Sequence, residues 1–359
     1  VWPRAHAQHA REVTIAGSGD LLFQPRVVSA ARAAVEGFDR VLSPVRVLVP
    51  AEHVAFANLE TPLSEEIPPE SGSPPVLGAP PELAGALARA GIDVVSIANN
   101  HAWDQGANGA ARTLAAVRAA GVVAIGGGAS LDDALAPRVI ERRGVRVAFV
   151  GVTERVNAGP GHGEGRAEIG LWDEAALEQA LARARAAADV VVVSIHWSHD
   201  FWPGPRLSQR QRARFLVDHG ADVVLGHGPH VLQPVERLAS PRGEAVVAYS
   251  LGNLVSNQGF AWRPGHPGEG HPATWRPDTR DGAWLRVGVS VEDGHVRVGR
   301  LEAVPLFTYN NYFARDAGDE PFEDIRVQRL ADAAEPDVRA LRRAAIAESL
   351  GEDVTLVER

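Results

Sequence analysis

The sequence predicts a layered α/β fold. Three observations carry that expectation. Short apolar, β-branched runs recur along the 359 residues without strict alternation, as strands covered on both faces require. Alanine-rich segments with helical spacing separate several of them. Most of the runs also end abruptly on acids, amides or imidazoles, groups that cost free energy to bury unless something satisfies them.

In chain order, strands are expected at residues 12–20, 53–60, 93–101, 145–154, 189–197, 222–230 and 245–253. Helices are expected at 81–90, 109–120, 172–187 and 208–219. The third helix, "WDEAALEQALARARAA", places acids in its first turn, where they suit the positive end of the helix dipole. Residues 61–82 are dense in proline, and 263–282 in glycine, proline and histidine. Both read as surface loops, the second placed to fold over a site as a lid. From 283 the pattern alternates about a turn at Glu292–His295, the mark of an antiparallel hairpin. His295, in that turn, reads as solvated surface. One domain over 12–310 and a C-terminal helical tail over 311–359 complete the expected organisation.

Hydrophobic residues make up 45% and charged residues 23%, an ordinary balance for a soluble globular chain. A net charge of −9 argues against a nucleic-acid partner, which calls for a basic face. The absence of cysteine excludes disulfides, thiolate ligands and a cysteine nucleophile. No apolar run approaches the ~18 residues of a membrane span, and "VWPRAHAQHAREV" lacks the apolar centre of a signal peptide. The chain is expected to be soluble and cytoplasmic, or secreted or surface-associated where a leader precedes the first residue.

The strand ends carry the chemistry. They bring Asp20, then Asn58 and Glu60, then Asn99, Asn100 and His101, then His196, and finally His227 and His230. Ligands gather at the carboxyl ends of strands in α/β sheets, so these residues are expected to meet. Imidazole, carboxylate and amide oxygen without thiolate suit zinc, manganese or iron. A two-metal site also needs a carboxylate able to serve both cations. Asn99 reads as a structural hydrogen-bonder beside the donor at 100. Trp197, His199, Asp200 and Asn253 are candidates for lining a substrate pocket, with Trp197 reading equally as a core residue, and Trp202, Trp262 and Trp275 fall near the same loops. "GSGD" and "GGGAS" lack the lysine and spacing of phosphate loops and read as turns, and "YSLGN" lacks the glycine pattern of a nucleophile elbow.

The ordered series "GSGDLLF", "FANLETPLS", "IANNHAWDQG", "SIHWSHDF", "GADVVLGHGPHVLQPVE" and "YSLGNLV" resembles the CapA family of poly-γ-glutamate capsule synthesis proteins. That family is similar to the calcineurin-like metallophosphoesterases, and the likeness runs from about residue 12 to 305. It implies a four-layer α/β/β/α metallophosphatase-like sandwich with a C-terminal antiparallel hairpin, holding one or two divalent metal ions (Zn, Mn or Fe). It further implies Asp20 and His230 as ligands of a first metal, Asn100, His196 and His227 as ligands of a second, and Glu60 as the bridge. His101 matches a histidine that protonates a leaving group, with Asp104 placed to orient it. Leu22 stands where classical phosphoesterases carry a histidine, and Asp200 where CapA-like proteins often carry glutamate.

The activity implied is a metal-dependent hydrolase that cuts an amide, peptide or phosphoester bond through metal-activated water, with a glutamyl polymer or peptide as substrate. The alternative the resemblance offers is a peptide-modifying epimerase, in which Asp20 and His230 exchange a Cα proton without a tightly bound metal. A further alternative is a non-catalytic accessory protein of capsule synthesis.

Overall fold

The computed structural model describes residues 10–50, 53–70, 72, 74–157, 167–265, 268–292 and 295–358. Its strands form two main sheets. In spatial order, the nine-stranded sheet runs Ile325–Arg329, His295–Asn310, Asp281–Glu292, Arg11–Leu21, His53–Leu59, Val94–Ser96 and Val123–Ile125. Asn253–Val255 also pairs with Arg11–Leu21, and Thr355–Leu356 with His295–Asn310. The six-stranded sheet runs Leu232–Ser240, Gly243–Leu251, Val223–His227, Val190–His196, Val145–Thr153 and Arg138–Arg142.

The two sheets face each other. Ile15 and Phe56 of the first pack against Phe149, Val192 and Leu225 of the second in one buried cluster, where the Phe56 and Phe149 rings stack 6.2 Å apart. The outer faces are covered by helices. Ala57 and Val95 share a cluster with Val28, Leu42, Leu87 and Val117, while Val150, Val193 and Val224 share one with Leu177, Leu181 and Leu216. Alternate valines of Val190–His196 therefore serve two different cores, which is why the run shows no apolar–polar alternation.

Expected and observed helices coincide closely: Leu83–Ala90, Gly106–Ala119, Glu174–Ala187 and Leu207–Asp218. Asp173 caps the third by accepting the Ala176 N–H at 2.8 Å. The strand expected over 93–101 is shorter, Val94–Ser96. Its polar end leaves the sheet because Asn99 Oδ1 accepts the His101 N–H at 3.1 Å, a local turn that competes with ladder pairing.

Three expectations need correction. The proline-dense segment 61–82 is not simply a surface loop, since Leu63, Leu77 and Ala79 are fully buried. Gln105 fastens it by bonding Ile67 and Leu77, and Asp104 accepts the Leu77 N–H at 2.7 Å. The segment 263–282 likewise ends inside the protein, with Thr279, Arg280 and Asp281 buried. The segment 311–359 is not purely helical: beside the helix Pro336–Leu350 it adds Ile325–Arg329 and Thr355–Leu356 to the first sheet. Its Val338, Ile346 and Leu350 join the core between the sheets. The hairpin strands Asp281–Glu292 and His295–Asn310 pair antiparallel, from Glu292 opposite His295 to Asp281 opposite Phe307. They lie inside the first sheet beside Arg11–Leu21, and His295 is exposed.

Candidate metal centre

Strand register sets the site. Asp20 is level with Asn58 on one neighbouring strand and with Asn253 on the other. In the second sheet His196 is level with His227. Because the sheets stack with these carboxyl ends together, contacts cross between them. His227 Nδ1 lies 3.5 Å from Asp20 Oδ1, and His196 Nε2 lies 3.3 Å from Glu60 Oε1.

Asp20 is fully buried and heavily held. Its Oδ1 accepts from Asn58 Nδ2 at 2.9 Å, and its Oδ2 from the Gly228 N–H at 3.2 Å and from His230 Nδ1 at 3.1 Å. Burial alone would raise its pKa, but the His227 and His230 partners outweigh that and hold it well below the usual carboxylate range. His230 sits at φ 57°, a left-handed conformation a non-glycine residue adopts rarely. Its Nδ1 faces two oxygens, Asp20 Oδ2 and, at 3.2 Å, Asn253 Oδ1, so Nδ1 carries the proton. The other nitrogen, Nε2, is aimed at Glu60, 3.8 Å from Oε1. Burial pulls this imidazole down, yet the charges of Glu60, Asp20 and Asp200 and the Asp20 hydrogen bond outweigh it and raise it to about 10.

The remaining donors are left open. Glu60 Oε2, Asn100 Oδ1, His196 Nδ1 and both ring nitrogens of His227 are buried and make no hydrogen bond among the described residues. Orphaned polar atoms in a native interior call for an explanation, and a cation is the one that fits carboxylate, amide oxygen and imidazole together. Ligating atoms of Asp20, Glu60 and His196 lie within 4.8 Å of one another, a spacing suited to a shared ion. Space for the imidazoles is kept by Gly228, at φ 97°, where a Cβ would stand 2.8 Å from His196 Cε1.

His101, 4% exposed, bonds through Nδ1 to Asp104 Oδ2 at 2.6 Å, and no described protein group bonds its Nε2. The pair stands on the turn that follows Asn100. Of the pocket candidates, Asp200 is exposed and near enough for its charge to act on His230, and His199 is half-buried. Asn253 positions His230 from behind, its Nδ2 donating to Thr279 O at 2.8 Å. Trp197 does not line a pocket. It is fully buried in the outer, helix-covered core and donates Nε1–H to Tyr249 O at 2.8 Å.

Sequence reasoning named Asn58 only as a strand-end group, without its role, and missed Phe201. Asn58 is the direct amide partner of Asp20, and two-residue spacing from Glu60 in "NLE" was the available signal. Phe201, at φ 57°, places its ring 5.8 Å from that of His230 and 5.6 Å from that of His271. It followed the candidates at 199 and 200 directly.

The architecture defines a class: two stacked sheets flanked by helices, with a buried carboxylate–imidazole–amide cluster at their shared carboxyl edge. The chain belongs to the family described as "Bacterial capsule synthesis protein PGA_cap", whose model matches residues 14–258, more than half of its length. It is 35% identical over 168 residues to the PGA biosynthesis protein CapA of Bacillus subtilis, covering 46% of this chain and 43% of that one. It is 29% identical over 177 residues to the probable polyglutamine synthesis accessory protein Rv0574c of Mycobacterium tuberculosis, covering 46% and 45%. These matches thus span less than half the length of either relative. Among solved structures, the calcineurin-like phosphoesterase YfkN of Bacillus subtilis is similar with a TM-score of 0.44 at 10% identity, covering 94% of this chain and 97% of that one. Among the described residues, no helix is long and apolar enough to cross a membrane.

Proposed function

We propose that the chain is a metal-dependent hydrolase acting on an amide, peptide or phosphoester bond, with glutamyl polymers or peptides as its substrate class. The carrying observation is the set of buried donor atoms on Glu60, Asn100, His196 and His227 that no group among the described residues satisfies. In this reading Asp20 and His230 would hold one cation, Asn100, His196 and His227 would hold a second, and Glu60 would contribute to both. Leu22 donates nothing, so the first position has fewer protein ligands than the second. When bound, a divalent cation supplies Lewis acidity and an acidified water.

The chain's own groups do the rest. Asp104 fixes the His101 ring through Nδ1, which leaves Nε2 to hold and deliver a proton to the leaving group. Asn253 fixes the His230 tautomer so that Nε2 is the nitrogen offered toward Glu60. The substrate class is drawn from the name of the Bacillus subtilis relative, a PGA biosynthesis protein.

Epimerisation by Asp20 and His230 fits this geometry less well. The two groups are bonded to each other rather than set apart across a gap, and a carboxylate with so depressed a pKa is a weak base for a Cα proton. Isotopic solvent tests the choice. Candidate γ-glutamyl polymers and peptides incubated in ¹⁸O-water should yield shortened products carrying one label, and chelation should stop the reaction. Deuterium entering at Cα in deuterated water, without cleavage and despite chelation, would establish epimerisation instead. An unlabelled outcome in both solvents would leave the accessory role.

A further inference from the structure

A second charged group is buried away from the metal-type cluster. Arg280 ends the short helix Pro277–Arg280 and is only 8% exposed. Its Nε donates to Thr308 O at 2.9 Å, and its guanidinium carbon stands 4.3 Å from the centre of the Phe307 ring. Among the described residues its two Nη groups have no hydrogen-bond acceptor, and no carboxylate reaches ion-pair distance. The neighbouring acids are committed elsewhere: Asp278 to Arg276, and Asp281 to Arg342. A buried cation without a counter-charge in contact is costly, so its retention needs a reason. Room for the side chain is kept by Gly259, where a Cβ would come 2.9 Å from Arg280 Cγ.

Arg280 lines a cavity of about 340 Å³ whose walls include Trp262, Phe307, Tyr309 and Phe313. Arg326, also in the wall, is paired with Asp324 and stacked 4.0 Å from the Tyr309 ring. Arg263 stands over Phe313 at 5.0 Å and makes no ion pair among the described residues. Of the two acids lining the cavity, Asp332 is paired with Arg329, and Glu335 is exposed. Burial lowers the Arg280 guanidinium to about 10, with the more distant Asp281 and Glu335 charges opposing that fall, so it stays charged at neutral pH. None of the metal-type residues lines this space.

We infer that this cavity binds a small organic carboxylate, its two oxygens forked onto the Arg280 Nη groups and its carbon body against the aromatic walls. A single guanidinium matches one carboxylate in bidentate geometry. The aromatic walls favour a carbon body over a bare inorganic anion, and Glu335 disfavours a dianion. The site is independent of the hydrolase reading. It nonetheless stands close to the metal-type cluster in the chain: Thr279 O, just before Arg280, accepts from the Asn253 amide that holds His230.

Calorimetric titration of the full chain with benzoate and with acetate tests the assignment, with benzyl alcohol and inorganic phosphate as controls. Both carboxylates should compete for one saturable site, with benzoate the tighter. Arg280→Gln should weaken benzoate by roughly tenfold or more, the scale of a lost charge-assisted pair. Exposed Arg300→Gln should leave it unchanged. If Arg280→Gln fails to fold, Arg280→Lys takes its place and should still lose the fork and most of the affinity. The inference is overturned if neither carboxylate binds, if benzoate binds the Arg280 variant as tightly as wild type, or if benzyl alcohol or phosphate displaces benzoate at equal concentration.

Discussion

His196 Nε2 lies 3.3 Å from Glu60 Oε1, although the two residues belong to different sheets and are far apart in sequence. The contact exists because both strands end at the same edge of the sandwich. It leaves Glu60 Oε2 and His196 Nδ1 buried without partners among the described residues. A protein that needed only a stable interface would place apolar groups here, since burying unsatisfied donors and acceptors costs about 1–3 kcal/mol each. The cluster is therefore best explained by what it binds.

His101→Ala should leave bound metal nearly intact and slow turnover by roughly 10²–10⁴, the usual contribution of a positioned acid–base group. The loss should shrink on substrates with activated leaving groups. Steady-state rates on an activated and a sluggish substrate check this, and equal losses on both would remove His101 from leaving-group protonation.

Asn253→Ala should weaken metal binding by about 10–100-fold, the range for partners that orient a ligand from behind. It removes the oxygen 3.2 Å from His230 Nδ1 and the donor to Thr279 O. The variant should also lose about 1–3 kcal/mol of stability, because buried partners are left open. Metal titration and denaturant unfolding measure the two effects separately.

Metal-free protein should lose stability as pH rises from about 6.5 toward 10. His230 has its folded pKa raised from 6.5 to about 10, so across that window the native state binds more protons than the unfolded chain. Stability then falls with pH, by at most about 1.4 kcal/mol per unit for one group. Asp20, depressed in the fold, contributes stability above its ordinary pKa of 3.8 that is lost only as pH falls toward its lowered value. Thermal melts of chelated wild type and His230→Gln across this range test the sign: the variant should show a flatter profile, and a wild-type curve that rises with pH would contradict it.

Much of this was legible in the sequence because strands buried on both faces advertise themselves as unbroken apolar runs, and their polar ends point to one edge. Asp20, Glu60, His196, His227 and His230 could be named from that logic, and the structure brings them together. What depends on lateral register was not legible. Asn58 and Asn253 flank Asp20 only because their strands pair level with it. Of the two readings of Trp197 the core one holds, since the residue after His196 in an extended chain points to the opposite face. The strands Ile325–Arg329 and Thr355–Leu356 are short and gain their pairing only from the long strand His295–Asn310.

Metal stoichiometry tests the central claim most directly. Wild type and Glu60→Gln, each shown to be folded by thermal melting, are loaded separately with zinc, manganese and iron, dialysed, and assayed for metal by elemental analysis. Wild type should retain one or two equivalents of at least one of these ions. Glu60→Gln should retain markedly less, because its carboxylate stands between the Asp20–His230 and His196 sides of the cluster. A wild type that retains none of the three ions, or a Glu60→Gln protein that retains as much as wild type, would contradict the account.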